Sequence, residues 1–368
     1  MTESIQGRAD VRGQRAKKPP VDRHAAPAAG VAAGTQGVAY NGGPVVSCLF
    51  AYPVFVGNKW QSDATWINLA SQLQLFYTDL FASSFGTVLG QYGYSDGELV
   101  SSHFEPAPAS GTLGDAAVAQ IVADLHASGV IPDDTANQGN SILAHAAFVH
   151  LDDTVAFNDT SPPPLGFSFC APEFVYGYHW FNTTLRPVPF SYGVIAGMSD
   201  ACLQGDSDPI VNLPQLARIT IVTSHELAEL VSDPQPFTGW TPEIGDICEG
   251  QGLNATFTGA HGTWTVQKIY SLFDDEKGQT FCVASSAAPK WSPPAAAAAA
   301  GARAAGARGL LPLPPTYRDG TRIFRKPEEV YKYLRRVTGG LPHGHIHGQL
   351  PALLREAADV LDKADKWK

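Results

Sequence analysis

PQLARITIVTSHELAELVSDP, residues 214–234, is the segment from which the architecture of this chain is most readily inferred. Its apolar side chains recur at the three- to four-residue spacing of a helix, and Pro214 falls in the first turn, where a missing N–H costs little. Because Pro234 disfavours helical backbone at the residue before it, the helix should end near Ser232. We therefore predict a helix from about Asn212 to Ser232, with one buried side and the sequence HELAE near its C-terminal end.

The HELAE sequence places two possible metal ligands one turn apart. Positions i and i+4 share a helix face, so His225 and Glu229 could hold one metal ion together. Glu226 lies about 100° around the helix and could act as general base towards the water that such an ion activates. HExxH metallopeptidases have the same arrangement of two metal ligands and a glutamate base, except that Glu229 here replaces the second histidine. A His/Glu pair suits zinc, but also other divalent ions.

A third ligand must come from outside the helix, and the segment PEIGDICE, residues 242–249, is the nearest source. Glu243 and Asp246 flank a glycine that permits a tight turn. We favour Asp246 as the ligand, with Glu243 either as a ligand or as the residue that orients His225. Outside the helix, His179 in the sequence YGYHW is the best candidate for a catalytic role, because a histidine near the metal could stabilise an oxyanion.

Other interpretations of these patterns stay open. A lone HExxE sequence also fits an ordinary helix whose charged residues face solvent. Asp233, before a proline, is more typical of a turn than of a ligand. The histidines of HGHIHG, residues 343–348, could bind metal adventitiously. No glycine-rich phosphate loop and no G-x-S-x-G sequence occurs, so nucleotide binding and serine hydrolysis have no support.

Charge is unevenly divided along a chain that is 44% hydrophobic and 16% charged. Residues 44–286 contain five basic and 25 acidic side chains, a net charge of −20, whereas residues 287–368 have a net charge of +7. Because dense negative charge repels phosphate, we expect no nucleic-acid partner. The acidic segment suits cations, basic peptides or the basic ends of the chain itself.

The five cysteines include no CxxC pair, which argues against a thiolate zinc site. Cys48 lies in an apolar run and is predicted to be a buried thiol, whereas the other four could pair as Cys170–Cys202 and Cys248–Cys282. Such disulfides indicate an extracellular location. A cytoplasmic location is the alternative, because no apolar signal segment follows the basic N-terminus. No run reaches the ~18 apolar residues of a transmembrane segment.

Composition divides the chain into four parts. We predict a disordered tail over residues 1–43, an α+β domain over 44–286, an Ala/Pro-rich linker over 287–315 and a basic helical extension over 316–368. The two helices expected in the extension cannot bury a core alone, so they should dock on the acidic domain or on a partner. As a further hypothesis, the basic extension could occupy the acidic cleft and inhibit it.

Within the domain, the periodicity of apolar residues predicts a series of strands and two further helices. One helix, capped by Ser62 or Asp63, is expected to run to about Phe81, and a second, capped by Thr112, to Gly129. Strands are expected at 45–56, 141–151, 190–196, 263–271 and 279–284.

The segment HELAELVSDPQPFTGWTPEIGDICEG, residues 225–250, resembles the signature block of the phosphate-induced/Exordium-like family. That block has HELAE, then Ser/Thr–Asp/Asn–Pro, a Trp, and Glu-Ile-(Gly/Ala)-Asp-x-Cys. Weaker likenesses extend over about residues 44–285. The resemblance implies a zincin-like mixed sheet packed on helices, with His225 and Glu229 as metal ligands and Glu226 as base. Plant members are secreted cell-wall proteins, and no firm enzymatic activity comes with the family.

These observations together predict a metal-dependent hydrolase, specifically a zinc metallopeptidase that acts on peptide or protein substrates. The alternative is a non-catalytic extracellular or cell-surface binding protein of the Exordium-like type, with a structural metal or none. Replacement of Glu226 discriminates between the two, because it would abolish hydrolysis but leave a binding function intact.

Overall fold

The computed structural model describes residues 38–136, 140–159, 168–170, 175–206, 208–249 and 254–291, and the backbone of strands 317–319 and 322–324. Helices and a mixed β-sheet are both present, which confirms the predicted α+β class. The predicted C-terminal helices, the HGHIHG sequence and most of the predicted tail and linker lie outside the described residues.

The described elements are mostly short, apart from two long strands and three long helices. The strands are β1 (Ala39–Tyr40), β2 (Val45–Val56), β3 (Asp96–Leu99), β4 (His103–Glu105), β5 (Thr112–Leu113), β6 (Thr135–Ala136), β7 (Ser141–Leu151), β8 (Ala156–Phe157), β9 (Gly177–Asn182), β10 (Phe190–Ile195), β11 (Trp240–Thr241), β12 (Asn254–Thr258), β13 (Thr263–Gln267), β14 (Ile269–Tyr270), β15 (Cys282–Val283), β16 (Tyr317–Asp319) and β17 (Arg322–Phe324). The helices are α1 (Lys59–Ser62), α2 (Ala64–Ala82), α3 (Phe85–Leu89), α4 (Asp115–Ala127), α5 (Gln215–Ser232) and α6 (Leu272–Glu276).

The central sheet is organised around β2 and β7, whose bounds agree with the predicted strands. Its order is β3-β2-β7-β10-β9, with β4 also paired to β2 and β6 to β7. β2 runs parallel to β3, β4 and β7, and β7 runs parallel to β10. The edge strand β9 is antiparallel to β10. Nearly all of β2 and β7 is buried, as expected for inner parallel strands that are continuous apolar runs.

Helix α5 is the element that connects the sheet to the rest of the domain. It contacts β9, β10 and β2 of the sheet, and also α2 and β13. Every residue from Arg218 to Ser232 is buried, so the helix has no solvated face in its C-terminal two thirds. The prediction of one buried side was therefore too narrow, because β13 and the chain after the helix cover the side that the sheet leaves open.

Three predicted elements differ in their bounds from the structure, one of them the strand expected at 279–284, which is only β15 (Cys282–Val283). Thr112 does not cap α4, because Thr112–Leu113 forms β5 against β8 and Gly114 directly precedes the helix. The predicted strand 263–271 is interrupted at Lys268, where pairing changes from β12 to β15. By contrast, Asp63 caps α2 as predicted, because its carboxylate accepts the backbone N–H groups of Thr65 and Trp66.

Residues 38–43, assigned above to the tail, belong to the domain. β1 pairs antiparallel with β11, Val38 is buried, and Tyr40 packs against Trp240 and Trp291. Because of these aromatic contacts, the domain extends beyond its predicted limits, residues 44 and 286, and includes Tyr40 and Trp291. In the predicted helical extension, β16 and β17 form an antiparallel pair, so the extension is not entirely helical.

Both predicted disulfides, Cys170–Cys202 and Cys248–Cys282, are present. The second joins β15 to the segment that follows β11, and so fastens that segment to the body of the domain. Cys48 takes part in neither disulfide, and it is half-buried rather than fully buried as predicted. None of the described helices is long and apolar enough to cross a membrane.

The buried histidine His150 predicts that acid destabilises the fold. Burial lowers its pKa from 6.5 to about 3, and its Nε2 lies 3.1 Å from the hydroxyl of Tyr77. A histidine whose pKa is lowered by folding favours the native state above the unfolded-state pKa, and this contribution is lost as the pH falls towards the folded-state value. The free energy of unfolding should fall by up to about 1.4 kcal/mol per pH unit from this group.

Replacing His150 by Asn should lower stability at neutral pH, because the contact with Tyr77 is lost, but should also flatten the pH dependence. Urea unfolding at several pH values below 6.5 measures the slope directly. His145, whose pKa burial lowers to about 4, should still contribute its own dependence in the variant. A variant with the wild-type slope would contradict the assignment.

Candidate metal centre

The two ligands predicted on α5 lie together and are buried. The Nε2 atom of His225 is 3.1 Å from Oε1 of Glu229. His225 is 8% exposed and Glu229 is fully buried. The alternative of an ordinary helix with solvent-facing charges is therefore wrong for HELAE, because these polar groups are directed into the protein.

Asp246, the favoured third ligand, completes a group with these two residues. Its Oδ1 is 3.5 Å from Nε2 of His225, and its backbone N–H donates to Oε1 of Glu229 at 3.2 Å. Ligand atoms held at 2.0–2.1 Å by a tetrahedral zinc ion lie about 3.3 Å apart. The spacing of His225, Glu229 and Asp246 therefore fits a divalent ion, and their donor atoms all lie within 4.8 Å of one another.

Glu243, the alternative third ligand, lies on the other side of Glu229, next to His179. The Nδ1 atom of His179 is 3.3 Å from Oε2 of Glu229, and its Nε2 is 3.8 Å from Oε1 of Glu243. His179, Glu229 and Glu243 are all buried and form a second group with the geometry of a metal site. The candidates predicted for one ion are thus divided between two groups that share Glu229.

Glu226 belongs to α5, and its side chain is directed towards the edge strand β9. Its Oε2 is 3.7 Å from Nδ1 of His179, and only 4% of the residue is exposed. Burial raises its pKa, although His179 and His225 partly offset that effect. A buried carboxylate with a raised pKa beside an imidazole is a typical general base or acid.

The carboxylates dominate the electrostatics of both histidines. Burial alone would lower the pKa of His179, but contacts with Glu226 and Glu229 raise it well above the ordinary value. The pKa of His225 is likewise raised despite burial, because Glu229 and Asp246 stabilise its cation. A metal ion bound here would replace protons, since its histidine ligands must be neutral.

Gln267, at the end of β13, orients the His225 ring, and no pattern in the sequence indicates this role. Its amide oxygen lies 3.0 Å from Nδ1 of His225, and because an amide oxygen only accepts, Nδ1 carries the proton and Nε2 faces the carboxylates. Its amide nitrogen donates to the carbonyl of Gly245 at 2.8 Å. One side chain therefore fixes both the histidine and the segment that carries Asp246, as supporting residues of metal sites do.

Two glycines allow the backbone to approach these side chains closely. A Cβ atom on Gly245 would lie 2.8 Å from Oε1 of Glu229 and 2.9 Å from the ring of His225. A Cβ on Gly177 would lie 2.6 Å from Oε1 of Glu226. The sequence shows both glycines, but it does not show that the side chains against them, those of His225, Glu226 and Glu229, all come from α5.

Asp233 is a turn residue, as predicted, and it also orients His179. Its carboxylate accepts the backbone N–H groups of the loop, at Phe237, Thr238 and Gly239. Its carbonyl oxygen lies 3.1 Å from Nε2 of His179. Because a carbonyl only accepts, this contact places a proton on Nε2 and directs Nδ1 towards Glu226 and Glu229.

Solvent reaches the centre from the side of Asp246. The side chain of Asp246 is 29% exposed and that of His225 10%, whereas those of His179 and Glu229 are 2% and 1% exposed. A substrate would therefore approach the His225 group first, with the His179 group behind it.

Comparison of the chain with models of protein families, with curated proteins and with solved structures finds no match. The resemblance to the Exordium-like family stays a prediction that rests on the quoted sequence segments.

Replacing Gln267 by Leu should weaken zinc binding about 10- to 100-fold, because His225 loses the group that fixes its ring. Competition with a zinc-chelating dye measures the affinity. The matched control is Gln91→Leu, which also removes a buried glutamine, one that bonds Ser271 and Val88 instead. That control should lose stability but keep the zinc affinity, and equal affinities in all three proteins would refute the positioning role.

Replacing Gly245 by Ala should also weaken zinc binding, because the added methyl group would displace Glu229 or His225 from their contact. Gly90→Ala is the control, since its Cβ would approach only the flexible side chain of Lys290, at 3.4 Å. Isothermal titration with zinc distinguishes them. Unaltered binding by Gly245→Ala would show that the close packing is not needed to hold the ion.

Proposed function

We propose that this protein is a metal-dependent hydrolase whose centre is formed by His225, Glu229 and Asp246, with Glu226 as general base. One observation carries the proposal: an imidazole and two carboxylates from α5 and the following loop converge at ligand spacing in a buried, partly accessible position. Nitrogen and oxygen donors of this kind suit zinc, and also other divalent ions.

A bound divalent ion supplies Lewis-acid chemistry, lowering the pKa of water and polarising a substrate carbonyl. Glu226 would accept the proton of the attacking water and pass it to the leaving group. Its burial suits this role, because the raised pKa makes this carboxylate a stronger proton acceptor than an exposed one. His179, whose Nδ1 lies beside Glu226, would stabilise negative charge that develops on the substrate.

Peptides are the substrate class that we propose. The edge strand β9, which carries His179, is paired on one side by β10, and its other edge could bind an extended peptide through backbone hydrogen bonds. The net charge of −20 over residues 44–286 favours basic or neutral substrates. The disulfides Cys170–Cys202 and Cys248–Cys282 fit a protein that works in an oxidising, extracellular compartment.

The first test is the metal content of the purified full chain, measured by elemental mass spectrometry beside His225→Ala. We expect at least one zinc ion per wild-type chain and a loss of zinc in the variant, because the imidazole is the only nitrogen ligand of this group. A metal-free protein that also shows no thermal shift with added zinc would contradict the proposal. It would favour the non-catalytic binding protein instead.

The second test is Glu226→Gln, which should keep the zinc content but slow hydrolysis about 10²- to 10⁴-fold, because an amide cannot accept the proton. Labelled unfolded casein is the probe, with and without a chelator. The control is Glu105→Gln, which removes a carboxylate from an exposed His–Glu pair on β4. If Glu226→Gln cleaves casein as fast as wild type, the assigned base is wrong.

A further inference from the structure

We infer that the centre binds two metal ions, with Glu229 as a carboxylate bridge between them. The inference rests on the metal centre proposed above and extends it from one ion to a pair, with His179 as a ligand of the second ion instead of a donor to the substrate. The first ion would be held by the His225 group and the second by the His179 group.

The two oxygens of Glu229 face different histidines. Oε1 lies 3.1 Å from Nε2 of His225, and Oε2 lies 3.3 Å from Nδ1 of His179. Both separations match the distance of about 3.3 Å between neighbouring ligands of one tetrahedral ion. A carboxylate that presents each oxygen to a separate imidazole is arranged as a bridge, and bridged ions in two-metal hydrolases lie about 3.5–4 Å apart.

Each side has its own third donor. Asp246 belongs to the group of His225, whereas Glu243 belongs to the group of His179. The two carboxylates come from the same short loop, three positions apart, and belong to different groups. Glu243 lies 3.8 Å from Nε2 of His179, so its side chain would turn towards Nδ1 to share an ion with Glu229. The arrangement is therefore two sets of one nitrogen and two oxygens, with one residue in common.

Each imidazole is oriented independently by its other nitrogen. Gln267 holds Nδ1 of His225 at 3.0 Å, and the carbonyl of Asp233 holds Nε2 of His179 at 3.1 Å. Histidine ligands characteristically donate their second N–H to a carbonyl or carboxylate oxygen in this way. His179 is therefore oriented in the way that a metal ligand is, as His225 is, although no sequence motif identifies it as a ligand.

The charge of the cluster also favours two ions. Ionised, its four carboxylates have a charge of −4, and histidine ligands are neutral. Two divalent ions balance this charge within the cluster, whereas one leaves −2 among side chains that are mostly buried, an arrangement that is costly in a protein interior. The groups counted are His179, His225, Glu226, Glu229, Glu243 and Asp246.

The direct test is the stoichiometry of zinc binding to the metal-free full chain, by isothermal titration and by elemental analysis after desalting. Wild type should bind two ions per chain. His179→Gln and Glu243→Gln should each retain one ion, as should Asp246→Asn. The matched control is His103→Gln, which removes the imidazole of a partly exposed His–Glu pair that belongs to neither group of the centre, and it should still bind two ions.

Manganese provides a second readout, one that does not depend on activity. Two Mn²⁺ ions bridged by Glu229 should give an exchange-coupled electron paramagnetic resonance spectrum, and Glu243→Gln should convert it to the signal of an isolated ion. One ion per wild-type chain, or an uncoupled spectrum at saturation, would overturn the inference. If that single ion is lost with His225 but kept in His179→Gln, the proposed hydrolase stands and only the ion pair is refuted.

Discussion

The burial of one carboxylate, that of Glu229, is the constraint on which the arrangement of this domain depends. A fully buried carboxylate needs compensating charge or hydrogen bonds, and Glu229 obtains them from three directions. His225 approaches from its own helix, His179 from the edge strand β9, and the backbone N–H of Asp246 from the loop after β11. The helix, the sheet edge and the loop are therefore tied to a common point.

The scaffold keeps these three elements in place by means that do not involve the centre. Helix α5 is packed against the sheet on one side and against β13 on another. The Cys248–Cys282 disulfide fastens the loop to β15, and Asp233 ends the helix by accepting three backbone N–H groups. At Gly245 the backbone approaches Glu229 and His225 so closely that a Cβ atom would not fit, and these restraints help to hold it there.

The parts that the sequence could predict are those determined by local pattern. The long strands β2 and β7 are apolar runs of strand length, and α5 ends where Pro234 requires it. The spacing within HELAE correctly brought His225 and Glu229 together, with Asp246 beside them.

What the sequence could not predict depends on tertiary contacts. Gln267 contacts His225, which lies 42 positions earlier in the chain. A glutamine at the end of a strand forms no sequence pattern that would indicate this contact. Glu243 lies beside His179, whereas Asp246 lies beside His225. Spacing along the chain does not determine which histidine each of these two carboxylates contacts. The burial of α5 on all sides from Arg218 onwards was missed, because β13, which covers the side away from the sheet, is remote in sequence.

The same concentration of charge that suits metal ions opposes folding when none is bound. Without metal, the buried carboxylates depend on protonated histidines for compensation, and the six groups then have more negative than positive charge when all carboxyls are ionised. A bound metal ion compensates the excess negative charge, so part of the free energy of metal binding stabilises the folded protein. The two disulfides and the large apolar core stabilise the chain independently, and so allow the ligands to be arranged before an ion arrives.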